Sequence, residues 1–269
     1  MQTPVNSFKQ ALAEKRPQIG LWVSLASHYT TEICAGAGFD WLLLDAEHSP
    51  NDLRSLLQQA QVIAAYPDSH AIARVPMGHG AVGEMLLKQF LDLGIQTLLV
   101  PMVETAEQAQ QIVRGMRYPP QGHRGMAGAR GNRWGRLPNY GKEANAQVCL
   151  LVQVETKAGL DNLEAIAAVE GVDGVFIGPA DLSASLGFVG QPTHPDMQAT
   201  IDGAMARIVK TGKAAGILTT DDALARRYLG MGATFVAVGL DNNLLARATS
   251  ELAARFKTGL TVAPQGKTY

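Results

Sequence analysis

Short, unbroken apolar runs return at intervals along the chain, at 20–25 (GLWVSL), 41–45 (WLLLD), 71–75 (AIARV), 97–103 (TLLVPMV), 148–155 (VCLLVQVE), 174–178 (GVFIG), 215–219 (AGILT) and 235–239 (FVAVG). None alternates cleanly between apolar and polar, which is the mark of parallel strands buried on both faces. Segments with helical spacing lie between them, at 51–65, 81–93, 105–117, 158–168, 195–211, 221–231 and 242–256. Ser49-Pro50 is expected to open the first of these, and Thr220 with Asp221-Asp222 the helix at 221. Strand and helix alternating at this pitch imply a parallel sheet with helices outside it. Eight repeats predict a closed (β/α)8 TIM barrel. An open doubly wound sheet is the rival, but no GxGxxG follows the first strand.

One further helix, at 7–15, is expected ahead of the barrel, and the whole chain, 1–269, reads as a single domain. The stretch 117–140 breaks the rhythm with many Gly, Pro and Arg residues. Its length marks a functional or interface loop.

Composition narrows the classes. With 269 residues the chain has the length of one barrel. Its 46% hydrophobic and 17% charged content argues against disorder. A net charge of −1 without charge blocks gives no footprint for nucleic acid. Cys34 and Cys149 are far apart in apolar settings and support neither a zinc site nor a disulfide framework. No secretory signal opens the chain, and no apolar stretch approaches the ~20 residues of a membrane helix. A soluble, cytoplasmic protein with no membrane partner is expected.

In such barrels the chemistry sits at the C-terminal strand ends. There the chain offers Trp22 after strand one, Asp45-Ala46-Glu47-His48 after strand two and Arg74 after strand three. Gln153-Val154-Glu155 ends strand five, and Gly178-Pro179-Ala180-Asp181 follows strand six. Met102, Leu218 and Gly239-Leu240-Asp241 end strands four, seven and eight. Gln153 and Glu155 share a strand face, and Asp181 lies one βα unit on. Neighbouring strands are ~4.8 Å apart, so Glu155 and Asp181 can reach one cation. Two carboxylates with open positions suit Mg²⁺ or Mn²⁺. The plainer alternatives are a helix cap for Asp181 and a surface loop acid for Glu155.

His48 suits a general base, or is a hydrogen-bonded loop residue. Arg74 suits a carboxylate or enolate oxygen, or a structural ion pair. The histidines at 28, 70, 79, 123 and 194 show no ligand spacing. No lysine ends a strand: Lys157 lies just past strand five and Lys213 ahead of strand seven. A metal aldolase is therefore favoured over one that forms a lysine Schiff base.

The segments IGLWVSL, AGAGFDWLLLDAEH, QTLLVPMV, RYPPQGHRG, LVQVET, GVDGVFIGPADLSASLG and FVAVG resemble the metal-dependent HpcH/HpaI aldolase family over nearly the whole chain. The resemblance implies a barrel of the phosphoenolpyruvate/pyruvate type and a divalent metal (Mg²⁺, Mn²⁺ or Co²⁺) on Glu155 and Asp181. It implies pyruvate contacts at Gln153 and Ala180, His48 as base and Arg74 as the group stabilising the transition state. Asp92 would raise the basicity of that histidine, and Asp45 would be a second acid near the metal. Trp22, Leu218 and Asp181 complete the expected substrate-binding set. Ala46 departs from a glycine common in the family, and the segment from Arg74 to Asp92 is longer than in its relatives.

The implied reaction is reversible cleavage of a 4-hydroxy-2-oxo acid, such as 4-hydroxy-2-oxoheptanedioate, to pyruvate and an aldehyde, such as succinate semialdehyde. Its setting would be aromatic catabolism. A homohexamer, a trimer of dimers with exchanged C-terminal helices, is implied as well. The alternatives are a 2-keto-3-deoxy sugar-acid aldolase on the same metal site, another 2-oxo or acyl-CoA lyase, and a non-catalytic barrel.

Overall fold

In the computed structural model, which describes residues 1–262, eight parallel strands close into one barrel in sequence order. The chain enters through α1 (Ser7–Ala13) and continues through β1 (Gln18–Val23), α2 (His28–Ala35), β2 (Trp41–Asp45), α3 (Leu53–Ile63) and β3 (His70–Arg74). Then come α4 (Gly80–Asp92), β4 (Thr97–Val100), α5 (Ala106–Met116), α6 (Tyr140–Gln147) and β5 (Cys149–Val154). The second half runs α7 (Lys157–Asp161), α8 (Leu163–Ala167), β6 (Gly174–Ile177), α9 (Pro179–Ser185) and α10 (Pro195–Thr211). It ends with β7 (Ala214–Leu218), α11 (Asp222–Gly230), β8 (Phe235–Leu240) and α12 (Asp241–Ala254). The TIM barrel and its leading helix are as the hydrophobic pattern predicts. Residues 263–269 lie outside the described residues.

Side-chain caps start several helices where the backbone N–H groups have no partner of their own. Asp52 caps α3 and forms a capping box with Ser55, so this helix opens at Asp52 and not at Ser49-Pro50. Thr105 and Gln108 do the same for α5, and Asp221 caps α11. The helix expected at 158–168 is two, α7 and α8, parted at Asn162. Helices α2, α6 and α9 have at most eight residues each, too short for a clear apolar period. The stretch 117–140 folds over the end of α4: Arg130 Nη1 donates to Leu93 O and Arg124 Nη2 to Asp92 Oδ1.

Two apolar layers result. Outward positions such as Leu42, Leu44, Val152 and Val154 meet the helices in the larger core. Inward positions such as Trp41, Leu43, Ile72, Leu151, Phe176 and Phe235 fill the barrel. Trp41 needs Gly20 beside it, since a Cβ there would lie 2.1 Å from its ring. Helix α1 closes the N-terminal end, where Phe8 packs edge-on against Trp41 and Phe235 at 6.2 and 6.0 Å. The apolar filling stops short of the other end, and the polar groups begin there.

Candidate active site at the mouth of the barrel

A cavity of about 250 Å³ opens at the C-terminal ends of the strands, lined by Trp22, His48, Arg74, Gln153, Glu155, Phe176, Gly178, Pro179, Ala180, Asp181 and Leu218. Strand parity explains most of this set. Side chains two apart share a face, so Trp22, Arg74, Gln153, Glu155, Phe176, Gly178 and Leu218 continue the inward rows of their strands. The cavity thus brings together His48, Arg74, Gln153, Glu155, Ala180, Asp181, Trp22 and Leu218, eight residues picked out in the sequence.

Arg74 anchors one side. Its Nε and Nη2 donate to Asp45 Oδ1 and Oδ2 at 2.8 and 2.7 Å, from directly paired positions on β2 and β3. Its Nη1 lies 2.9 Å from Glu47 Oε2, and its guanidinium sits 5.0 Å over the Trp22 ring. Asp45 also accepts from Trp22 Nε1 and from the backbone N–H groups of Glu47 and His48. Burial alone would raise the Asp45 pKa, but these bonds, Arg74 foremost, hold it below the usual range. Arg74 is thus a buried structural ion pair and a wall of the cavity at once. Asp45 holds Arg74 and does not itself line the cavity.

Glu155 anchors the other side. Its Oε1 accepts from the Met102 N–H at 2.9 Å, and its Oε2 accepts from Gln153 Nε2. Gly178 must be glycine here, because a Cβ would lie 2.5 Å from Glu155 Oε2. Asp181 is the third residue of α9, behind Gly178 and Pro179. It is not the helix cap; Gly178 holds that position, which turns the Asp181 side chain over to the cavity.

The charges do not balance. Burial, and then the neighbouring carboxylates Glu47 and Asp181, push Glu155 up to about 7 despite its hydrogen bonds. Glu47 likewise rises to about 7, from burial and the charges of Asp45 and Asp181, with Arg74 opposing. Gln153 Oε1 is buried without a hydrogen-bond partner, and Glu47 Oε2 has only its ion pair with Arg74. A divalent cation fits such a site, because it would offset the carboxylate excess and give the unpaired Gln153 oxygen something to face. Among the described residues no three His, Cys, Asp or Glu side chains are grouped as a complete ligand set. Glu155 and Asp181 would hold the cation, with water or substrate oxygens filling the remaining positions.

One placement differs from the reading of the sequence. Asp92 is not with His48 in this chain. It ends α4, which carries the chain from the mouth back to the opposite end, and there it pairs with Arg124 at 2.7 Å. The carboxylate near His48 is Glu47, 3.9 Å from its Nε2. Glu47 and Phe176 went unselected, although their signals were present: an acid beside His48, and an aromatic at an inward position of strand six. The Met102 N–H had no side-chain signal at all.

Comparison with known proteins bears on what this geometry is for. Residues 18–248 match the model of the family described as HpcH/HpaI aldolase/citrate lyase. A hydroxypyruvate/pyruvate aldolase of Deinococcus radiodurans is 62% identical over 254 residues, covering 94% of this chain and 90% of its own. A 4-hydroxy-2-oxovalerate aldolase of Rhodococcus jostii is 60% identical, covering 95% and 98%. A 4-hydroxy-2-oxo-heptane-1,7-dioate aldolase of Escherichia coli is 54% identical, covering 97% and 98%. Among solved structures, an HpcH/HpaI aldolase/citrate lyase family protein of Burkholderia cenocepacia superposes with a TM-score of 0.88 at 41% identity, covering 93% of this chain and 99% of its own. With its barrel, its mouth and these relatives, the chain belongs to the HpcH/HpaI aldolase/citrate lyase family and is a carbon–carbon lyase of the aldolase kind.

Proposed function

We propose that the protein is a divalent-metal-dependent pyruvate aldolase that cleaves 4-hydroxy-2-oxo acids reversibly to pyruvate and an aldehyde. The observation that carries this is the carboxylate excess around Glu155 and Asp181, in a cavity lined by no lysine. A cation on Glu155 and Asp181 (Mg²⁺, Mn²⁺ or Co²⁺) would act as a Lewis acid for charge developing on the 2-oxo group.

The chain's own groups do the rest. His48 takes the proton of the C4 hydroxyl as the C3–C4 bond breaks. The electron pair of that bond passes into the enolate of pyruvate, and C4 leaves as the aldehyde carbonyl. Carboxylates engage three of the five N–H groups of Arg74, and the remainder are free to stabilise the enolate oxygen. Protonation at C3 completes pyruvate. Trp22, Phe176, Ala180 and Leu218 exclude water from this space.

The aldehyde follows from the cavity's charge. Succinate semialdehyde is the acceptor implied by resemblance, and it carries a second carboxylate. Arg74, already paired, is the sole lysine or arginine among the lining residues. That favours neutral aldehydes, hydroxyaldehydes of the sugar-acid type among them. The test is a panel of aldehydes with pyruvate, run with EDTA and with each metal restored. Cleavage should vanish with chelator and return with Mg²⁺, Mn²⁺ or Co²⁺. Borohydride should trap no pyruvate adduct, and a trapped lysine adduct overturns the metal reading.

We also propose the hexameric assembly. No apolar residue of α12 is buried in the chain; Leu244, Leu245 and Leu252 are 43%, 51% and 52% exposed. Such a stripe supports packing on another copy. Light scattering should give six times the chain mass, and a fully active monomer contradicts it.

A further inference from the structure

Strand β4 sends no side chain into the cavity, yet the chain beyond it reaches the site. Val100 pairs with Val152, and the next ladder bond is Val103 N to Gln153 O at 3.1 Å. Pro101 and Met102 are therefore looped out between two points of the β4–β5 seam. Met102 has a φ of +56°, one of five non-glycine residues with positive φ among those described. That backbone is unfavourable for a residue with a Cβ. Here it turns the Met102 N–H inward, onto Glu155 Oε1 at 2.9 Å. The Met102 side chain points elsewhere: it is 38% exposed and does not line the cavity. Pro101 has no N–H to offer, so Met102 is the donor this loop provides.

We infer that Met102 is a positioning residue for the metal-binding carboxylate of Glu155, and that it acts through its main-chain N–H and left-handed backbone rather than its side chain. The inference rests on the metal reading above. Glu155 is held at both oxygens, by Met102 and by Gln153, with Gly178 close against it. Its carboxylate thus has a set orientation before any cation arrives. Partners of this kind, one bond beyond the metal, typically contribute about 10–100-fold in metal affinity.

The test changes the backbone preference and leaves the donor in place. Met102→Gly adopts a left-handed backbone freely and should bind Mn²⁺, by calorimetry on the full chain without substrate, within about twofold of wild type. Met102→Val, β-branched and poorly suited to that backbone, should bind Mn²⁺ about 10–100-fold more weakly. A second measurement needs no metal. In the metal-free protein, Glu155→Ala should speed hydrogen exchange at the Met102 amide by about tenfold or more, as expected for a lost acceptor.

A folded Met102→Val chain with wild-type affinity overturns the inference. So does a Met102→Gly chain as weak as Met102→Val, which would assign the effect to the side chain. Unchanged exchange at Met102 in Glu155→Ala overturns it as well, and decides the matter if Met102→Val does not fold. If wild type binds no divalent cation, the metal reading fails by itself, and the exchange measurement still decides whether Met102 holds Glu155.

Discussion

The two ends of the barrel are built from the same inward rows of the same strands, and they solve opposite problems. At the floor, α1 plugs the opening with Phe8, which stacks on His70 at 5.6 Å and meets Trp41 and Phe235 edge-on. Most polar groups there are paired, the buried hydroxyls of Ser69 and Thr234 excepted. Asn6 Nδ2 donates to Thr97 Oγ1 and Gln147 O, Lys9 Nζ to Val148 O, and Trp41 Nε1 to Gln18 O. At the mouth, Asp45 and Glu47 pair with Arg74, Glu155 and Asp181 share the cavity with it, and a buried oxygen of Gln153 lacks a hydrogen bond. The floor gains stability by packing aromatic rings and pairing most of the polar groups around them. The mouth gives some up to hold charge that a cation and substrate would complete. One sheet can do both because each strand keeps its inward row while the side chains along that row change.

That contrast is sharpest in substitutions at each end. His48→Ala, at a half-exposed mouth residue, should lower aldol cleavage by about 10²–10⁴ with thermal stability unchanged. Arg74→Ala should lower cleavage and deuterium uptake into the pyruvate methyl group together, by about 10²–10³. Exchange at the wild-type rate in Arg74→Ala, followed by NMR, would remove Arg74 from its enolate role. At the floor the pattern reverses. Trp41→Ala should cost about 3–5 kcal/mol in denaturant unfolding, while the protein that remains folded keeps its turnover. A large drop in kcat without a change in midpoint would break the distinction.

The pH dependence of stability separates the ends more gently. Glu47 and Glu155 titrate at about 7 when folded and at 4.5 unfolded. Folding therefore favours their protonated forms, and the metal-free protein loses stability as pH rises from 4.5 through 7. His70 has the other sign. Burial lowers it from 6.5 to about 4, so its contribution is full above 6.5 and is lost as pH falls towards 4. Each group contributes a slope of ~1 kcal/mol per pH unit across its window. Between 5 and 6.5 the two carboxyl groups outweigh the histidine, so calorimetry of metal-free protein should show a falling melting temperature. His70→Phe should steepen that fall, and bound Mn²⁺ should flatten it. A rise over the same range would show that the mouth carboxylates are not raised.

Much of this was legible in the chain itself. Eight short apolar runs, each followed by a segment of helical spacing, mark parallel strands buried on both faces. Spacing of two puts Gln153 and Glu155 on one face, and the strand ends named Trp22, His48, Arg74, Asp181 and Leu218 as neighbours. Asp92 shows where the reading stopped. A family pattern placed it with His48, but the direction of α4 takes it to the floor and to Arg124.

What sequence alone determined is the order of elements and the inward parity of each strand, since both follow from local periodicity. What only the tertiary structure decided is which inward residue meets which. The Asp45–Arg74 pair depends on the register of β2 against β3, and the Asp181 position depends on a helix that starts at Gly178. The bond from Met102 to Glu155 depends on a loop in the β4–β5 seam, made by a main-chain group that every residue but proline carries. Local pattern is encoded within a few residues, whereas register, chain direction and a backbone N–H turned inward are set by contacts between segments far apart in the chain.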